Sequence, residues 1–183
     1  MMGENVDQFF EQEKIKQEKV KILEKLNIGS VGQAIIMLVA LDLKPATELD
    51  LYNNNDNEEV VKDALTKVGL KFANKDVKGR KNVVARLAIA RDRETLDRLL
   101  EVSGKKDHEA YGRLMGYPET AVQAFIAKDL LTHEEQPPEM ADNIFPMKLS
   151  KEHWREELEN LRIWNEAIKK YAPDTYRQAR GIN

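Results

Sequence analysis

The chain of 183 residues contains no cysteine. This absence excludes disulfide bonds, thiolate nucleophiles, zinc ribbons and cysteine-held iron–sulfur clusters, and it favours a reducing compartment. The sequence also lacks GxSxG, P-loop, GxGxxG and HExxH motifs, and none of His108, His133 and His153 has the spacing of a zinc ligand. We therefore predict no metal and no cofactor, and an enzyme of undetermined reaction remains only an alternative.

Long apolar segments are missing as well. The longest run, 34–41, has eight residues, against about 20 needed to cross a bilayer. The first ten residues do not combine a basic region with an apolar one, so they predict no secretory signal peptide. With a formal net charge of −3, the composition gives no indication of an anionic membrane or of nucleic acid. We predict a cytoplasmic protein with no membrane partner.

The apolar periodicity predicts an α+β fold that is predominantly helical. It has a small two- or three-stranded sheet, built on a hairpin at about 70–91, and a long C-terminal helix. The apolar run 34–41 is ambiguous between helix and strand. Ser30 and Gln33 match a capping box just before it, which favours a helix.

Four segments follow from the composition. We predict a charged N-terminal helical arm at 1–27, a main α+β domain at 28–131, and an acidic linker with three prolines at 132–149. The last segment, 150–183, is predicted to form a helix that packs on the main domain or on a partner. Exposed aromatic side chains need cover, so we predict a homo-oligomer held by the terminal helices through Phe9, Phe10, Trp154 and Trp164.

Charge is distributed unevenly along the chain. Residues 71–93 carry eight basic side chains, whereas 132–160 carry eight acidic ones. These two regions complement each other in one interpretation, and the basic hairpin binds an external anion or nucleic acid in the other. The residues that would contact nucleic acid are Lys78, Arg80, Lys81, Gln123 and Lys128.

A second informative stretch is centred on Gly116, Tyr117 and Pro118, which predict a helix, a very tight turn and a second helix. Val122, Phe125 and Ile126 are expected on the inner face of that second helix. The spacing of Gly112, Gly116 and Val122 also fits a DNA-binding helix-turn-helix. Alternatively, the corner holds a small anionic ligand in a pocket formed by Arg91, Arg93, Tyr111, Arg113, Tyr117 and Glu119.

Residues 71–125 resemble an uncharacterised prokaryotic family of unknown function. The pattern that carries the resemblance is an Arg-Asp pair, a leucine-rich helix, Gly-Arg-Leu-x-Gly-Tyr-Pro (here 112–118) and a later phenylalanine (here Phe125). Members of that family often have cysteines just after the Gly-Tyr-Pro step, where this chain has Thr120 and Ala121. The resemblance therefore carries over no metal or redox role, and it implies no activity.

These observations lead to a non-catalytic binding or assembly module as the main hypothesis, with a small anionic-ligand site near the Gly-Tyr-Pro turn. A nucleic-acid-binding protein is the alternative, and an enzyme of undetermined reaction is the second alternative.

Overall fold

The structure, a computed structural model, describes residues 3–182 and the side chains from residue 7 onward, so residues 1, 2 and 183 of the predicted terminal segments lie outside it. Its elements, in chain order, are α1 (Gly3–Leu23), α2 (Ser30–Ala40), β1 (Ala46–Tyr52), α3 (Glu58–Lys67), β2 (Lys71–Lys75), β3 (Val83–Ala90), α4 (Arg93–Lys105), α5 (His108–Leu114), α6 (Glu119–Ala127), a 3₁₀ turn (Pro138–Asp142), α7 (Trp154–Tyr171) and α8 (Pro173–Ala179). The predicted α+β, mostly helical class is confirmed.

The predicted hairpin forms the core of a three-stranded antiparallel sheet with the strand order β1-β3-β2. Strand β3 lies in the centre, with Leu87 opposite Leu49 of β1 and Ile89 opposite Phe72 of β2. Because side chains alternate along a strand, β3 presents different residues to the two faces of the sheet. One face packs on the main core, and the other lies beneath α4.

The main core is organised around α2, which is the ambiguous segment of the sequence. Its residues Ile36 to Val39 are fully buried, as expected of a helix that is apolar on all sides. The predicted cap is wrong, because Gly29 precedes the helix with a φ of 77° and Ser30 is its first residue. Instead, the buried Gln33 amide donates to the carbonyls of Glu24 and Leu26, at 2.9 and 2.7 Å, and ties α1 to α2.

A smaller core occupies the opposite face of the sheet. Ala88 and Ala90 of β3 pack there against Leu96 and Leu99 of α4, together with Met115 after α5. Small side chains on the strand let the helix approach closely. Asp92 begins α4 by accepting the backbone N–H of Thr95 at 2.7 Å.

The segment predicted as a linker packs as part of the main core. Ile144, Phe145 and Leu149 are almost fully buried with residues of α1, α2 and α7. Its backbone is tied down as well, since Asn165 of α7 accepts the N–H of Ile144 at 3.3 Å. The prolines led us to predict a linker, and that prediction is wrong because the apolar residues near the prolines pack the segment into the core. We call residues 144–149 the strap.

The C-terminal part consists of α7 followed by the short α8, rather than one helix, because Pro173 starts a new helix. Trp164 is only 4% exposed and packs edge-to-face on Phe145, with 5.8 Å between the ring centroids. It is therefore a core residue of its own chain and not a partner contact, which corrects the prediction. Trp154 is half-buried.

Helix α1 differs between its two ends. Val20 and Leu23 are fully buried against the main core, whereas residues 7–12 are exposed on every side of the helix. Phe9 and Phe10 are 59% and 65% exposed, and they contact each other edge-to-face. The first turns of α1 therefore project from the body as an arm. Within residues 3–182, no helix has the length and apolar character needed to cross a bilayer.

Candidate functional site

The corner between α5 and α6 is as tight as the sequence predicted. Gly112 lies against Val122, and a Cβ at Gly112 would come within 2.9 Å of a Val122 methyl group. Gly116 adopts a φ of 75° and lies against Lys44 and Pro45, so the turn is pressed onto the chain that precedes β1. Pro118 is the residue before the first turn of α6 and not its first helical residue.

Helix α5 presents two opposite faces, and this separates the predicted pocket into two places. Residues 108, 111 and 112 lie on one face, and 110, 113 and 114 lie on the other, as a rotation of about 100° per residue requires. Tyr111 and Tyr117 therefore line one cleft, whereas Arg91 and Arg113 line a groove on the other side of the helix. The six predicted residues do not form a single site.

The groove on the second side, which we call the arginine groove, brings together Arg91, Arg98 and Arg113 beside Pro45. The Arg91 guanidinium lies 3.2 Å from the carboxylate of Asp92. Arg93 pairs with Asp97 at 2.9 Å one turn along α4, so it does not join the groove.

Arg113 is engaged by two carboxylates. Its guanidinium donates to Glu119 at 2.7 and 2.6 Å and to Glu109 at 2.5 Å. The amide of Gln123 donates to the same two residues. Hydrogen bonds from Arg113 and Gln123 lower the pKa of Glu119 to about 2. Because two carboxylates already neutralise its charge, Arg113 is poorly suited to bind an external anion.

The nucleic-acid alternative gains no support from these positions. Gln123 is held by Glu109 and Glu119, so the exposed start of α6 is acidic, whereas groove-reading helices depend on cations that contact phosphate. Lys128 is the left-handed residue that ends α6. The other predicted nucleic-acid contacts are in the turn between β2 and β3: Lys78, Arg80 and Lys81. This alternative stays a prediction.

The cavity on the first side of α5 has largely apolar walls, and we call it the apolar cleft. It has a volume of about 280 Å³. Its walls come from the two helices of the corner, the Gly-Tyr-Pro turn and the strap: His108, Tyr111, Gly112, Tyr117, Ala121, Val122, Phe125, Pro146, Met147 and Lys148.

The rim of the apolar cleft is formed by a histidine and a phenylalanine. The His108 imidazole lies edge-on to the Phe125 ring, with 6.0 Å between the centroids. Phe125 is 51% exposed and Ile126 is 46% exposed, so the prediction that both lie on the inner face of α6 is wrong. Only Val122 of that predicted set is buried.

Sequence reasoning missed Lys44, which lies beneath the Gly-Tyr-Pro turn. It is 4% exposed, and its ammonium lies 4.7 Å from the centroid of Trp164 and 5.2 Å from that of Tyr117. No carboxylate of the described residues pairs with it, and burial lowers its pKa to about 8. Nothing in the local sequence signals this burial.

A second missed feature is a charged cluster on the α4 side of the sheet. The Glu48 carboxylate of β1 contacts Lys75 of β2 and Arg86 of β3, and Ser103 of α4 donates to it at 3.3 Å. Burial alone would raise the pKa of Glu48, but the hydrogen bond from Lys75 and the charge of Arg86 outweigh burial and lower it. Apolar and acidic residues alternate along β1, and this alternation was the sequence signal that could have predicted acids on the α4 side of the sheet.

The same cluster corrects the predicted partner of the basic hairpin. Arg80 pairs with Asp50 at 2.9 Å, and Arg86 lies 3.5 Å from Asp50 as well as contacting Glu48. The hairpin is thus balanced by acids of β1 and not by the acidic segment 132–160. Beside these pairs is a cavity of about 240 Å³, the basic pocket, lined by Glu48, Lys75, Arg80, Arg86, Val102, Ser103, Lys106, Asp107, His108 and Tyr111.

Comparisons with protein-family models, with curated proteins and with solved structures find no match to this chain. The resemblance to an uncharacterised prokaryotic family therefore stays a prediction. Three residues that carry it, Gly112, Tyr117 and Phe125, line the apolar cleft. In the part of the chain that the structure describes, no three histidine, aspartate or glutamate side chains converge as metal ligands would.

Proposed function

We propose that the protein is a cytoplasmic, non-catalytic binding protein whose apolar cleft takes an aromatic or branched apolar group of a small molecule. The observation that carries the proposal is the cleft itself: a partly enclosed cavity of about 280 Å³ with largely apolar walls. Ligand sites are typically concave, mostly apolar and about 300–1,000 Å³ in volume. The volume lies just below that range, which favours a ligand group the size of a single ring.

The walls of the apolar cleft are rigidly supported. Gly112 and Val122 lock α5 against α6, and the cleft residues Pro146 to Lys148 lie between the buried strap residues Phe145 and Leu149. A cavity whose walls are fixed before binding costs less conformational entropy when a ligand enters. This rigidity supports a preformed site.

The test is methyl-detected NMR with a neutral aromatic probe, benzyl alcohol. We expect shifts of the methyl groups of Met147, Ala121 and Val122, which line the cleft, and no shift of Met140, which does not. Ala121→Phe fills the cleft and should abolish the shifts. Ala127→Phe places the same side chain on α6 outside the cleft and should leave them unchanged.

The proposal fails if benzyl alcohol shifts no methyl group of the cleft at millimolar concentration, or if the shifts persist in the Ala121→Phe variant. Circular dichroism and the unperturbed methyl signals of the main core establish that both variants remain folded. This readout requires no knowledge of the natural ligand.

A second candidate function, assembly with a second copy, is favoured by the exposed arm of α1. Phe9 and Phe10 together form an aromatic surface on a part of the helix that touches no other element, since residues 7–12 are all exposed. Paired exposed phenylalanines usually mark a contact surface. The helix that bears them is anchored to the body by Val20 and Leu23.

The charges along α1 indicate which partner fits. Exposed Asp7 and Glu11 lie in its first half, and exposed Lys14 and Lys21 lie in its second half together with one exposed acid, Glu18. An antiparallel copy of α1 would therefore place acidic residues beside basic ones, in the two-fold arrangement that most homodimers use. We propose an antiparallel α1–α1 dimer in which the phenylalanines are covered.

Sedimentation equilibrium across 1 to 500 μM protein tests the dimer. The wild type should associate, and the double variant Phe9→Ala/Phe10→Ala should remain monomeric at every concentration. Phe125→Ala, which removes an equally exposed phenylalanine elsewhere, should associate like the wild type. A wild type that is monomeric at 500 μM would refute the dimer and leave the apolar cleft unaffected.

A further inference from the structure

The apolar cleft and the basic pocket are adjacent, because His108 and Tyr111 line both of them. Tyr111 lies between the two cavities. Burial and the neighbouring Glu48 carboxylate raise its pKa, so the phenol stays protonated and its hydroxyl remains a donor. The two cavities therefore meet at these two side chains.

The basic pocket carries more positive than negative charge. Its cations are Lys75, Arg80, Arg86 and Lys106, and the carboxylates at or directly behind it are Glu48, Asp50 and Asp107.

The three carboxylates are already engaged by the protein. Glu48 contacts Lys75 and Arg86, and Asp50 pairs with Arg80 at 2.9 Å. Asp107 accepts the backbone N–H of Ala110 at the start of α5, at 3.0 Å.

The exposed cations at the mouth of the pocket are less committed. Lys106 has no ion pair among residues 3–182, and its backbone is held as the left-handed residue that ends α4. Arg80 is 44% exposed and pairs with Asp50 through only one of its nitrogens. Both side chains keep free N–H donors, whereas the charges of Lys75 and Arg86 are matched by Glu48 and Asp50.

We infer that the ligand of the proposed function is a phosphate monoester of a small apolar or aromatic alcohol, with its phosphate in the basic pocket and its apolar group in the apolar cleft. This inference rests on the proposed function. A phosphate offers three terminal oxygens to guanidinium, ammonium and imidazole donors, which matches Arg80, Lys106 and His108 around one cavity. A carboxylate offers only two oxygens to the same donors.

Calorimetry with three probes tests the inference. Benzyl phosphate should bind at least tenfold more tightly than either benzyl alcohol or inorganic phosphate, because linking two groups that occupy adjacent sites adds their binding free energies. Phenylacetate, which carries the same ring and a carboxylate, should bind at least threefold more weakly than benzyl phosphate.

Variants then assign the phosphate to the pocket. Lys106→Gln should weaken benzyl phosphate binding at least threefold and leave the NMR shifts caused by benzyl alcohol unchanged. Lys105→Gln is the matched control, since Lys105 is the preceding residue, pairs with Glu101 and does not line the pocket. It should alter neither measurement.

The outcomes separate the inference from the proposed function. Binding of benzyl alcohol in the cleft with no gain for benzyl phosphate, or equal binding of phenylacetate, overturns the inference and leaves the proposed function standing. Binding of inorganic phosphate as tight as that of benzyl phosphate overturns the inference alone, whereas the absence of methyl shifts with benzyl alcohol overturns both. Binding of single-stranded RNA that is lost in Lys106→Gln and unaffected by benzyl phosphate would also overturn the inference.

Discussion

The ammonium of Lys44 lies 4.7 Å from the centroid of Trp164, inside a core where that lysine is 4% exposed. The ring of Tyr117 covers it from a second side at 5.2 Å. Aromatic faces attract a cation, and the attraction reaches about 2 kcal/mol when water is excluded. The contact fixes the Gly-Tyr-Pro turn onto α7, and so it positions one wall of the apolar cleft.

Lys44 should give the protein an unusual dependence of stability on pH. Burial lowers its pKa to about 8 in the folded state, against 10.5 when unfolded. Between these values the unfolded chain binds more protons than the folded one, so the free energy of unfolding rises with pH. Between pH 8 and pH 10.5, the free energy of unfolding should rise by about 3 kcal/mol from this lysine alone. Urea unfolding of the wild type and of Lys44→Met, at pH 7 to 10.5, measures the effect as the difference between the two.

Lys44→Met keeps the length of the side chain and removes its charge, so the difference isolates this one group from the other lysines and tyrosines that titrate in the same range. A matched control is Lys128→Met, an exposed lysine at the end of α6. It should follow the wild type at every pH. Equal pH profiles for the wild type and Lys44→Met would contradict the prediction.

Gly112 is the residue that permits the tight corner, and Gly112→Ala should destabilise the protein. A Cβ there would lie 2.9 Å from a methyl group of Val122, which is β-branched and has little rotamer freedom in a helix. Overpacking costs about 1–3 kcal/mol and alanine regains about 1 kcal/mol of helix propensity, which leaves a net loss of about 1 kcal/mol. Thermal or urea unfolding measures it.

A double-mutant cycle identifies the clash as the cause. Val122→Ala removes the methyl group in question, so Gly112→Ala should cost much less in that background. Gly104→Ala serves as the control, because Gly104 is helical with no atom near its missing Cβ. That substitution should stabilise the protein by up to about 1 kcal/mol. If the stability changes caused by Gly112→Ala and Val122→Ala are additive, the proposed contact is excluded.

The ion pair between Arg113 and Glu119 should be visible as a shifted titration. Hydrogen bonds from Arg113 and Gln123 lower the pKa of Glu119 to about 2. A carboxylate with a lowered pKa contributes stability that is present above its unfolded value near 4.5 and is lost as the pH falls towards 2. Carbon-detected NMR of the glutamate carboxyl groups measures the pKa directly.

In Arg113→Gln, the pKa of Glu119 should move back towards 4.5. In Arg98→Gln, which removes another arginine of the same groove, it should stay low. A Glu119 that titrates near 4.5 in the wild type would show that the pair does not persist in solution, and Arg113 would then be free to bind an anion.

Periodic patterns in this sequence differ in how far they determine the structure. The apolar pattern at 70–91 predicted the hairpin, because side chains that alternate with a period of two residues indicate a strand. Helix α6, in contrast, is apolar almost all round, so its periodicity could not decide whether Phe125 or Val122 faces inward. Phe125 is exposed and lies at the edge of the apolar cleft.

The predicted single pocket could have been rejected from the sequence alone. Tyr111 and Arg113 are two residues apart on one helix, which directs them to different faces. The burial of Lys44 could not have been predicted, because it depends on Trp164, which lies far along the chain. The pairing of Glu48 with Lys75 and Arg86 likewise depends on the strand order β1-β3-β2, which the sequence left open.

The strap offers the last prediction, because its composition and its packing disagree. Leu149 is fully buried in the main core, although it lies in a segment whose prolines and acids are typical of a linker. Leu149→Ala should therefore cost about 2–5 kcal/mol, as for other buried leucines that leave a cavity. Lys148→Ala, at the neighbouring exposed position, should change stability by less than about 0.5 kcal/mol.

Because Leu149 anchors the strap that walls the apolar cleft, its truncation should also loosen the ligand site. We expect benzyl alcohol to shift the Met147 methyl group less in Leu149→Ala than in the wild type, at a temperature where both are folded. Leu65→Ala, a fully buried leucine of α3 outside the cleft, should lower stability by a similar amount and leave that shift intact. Equal shifts in all three proteins would mean that the strap does not support the cleft.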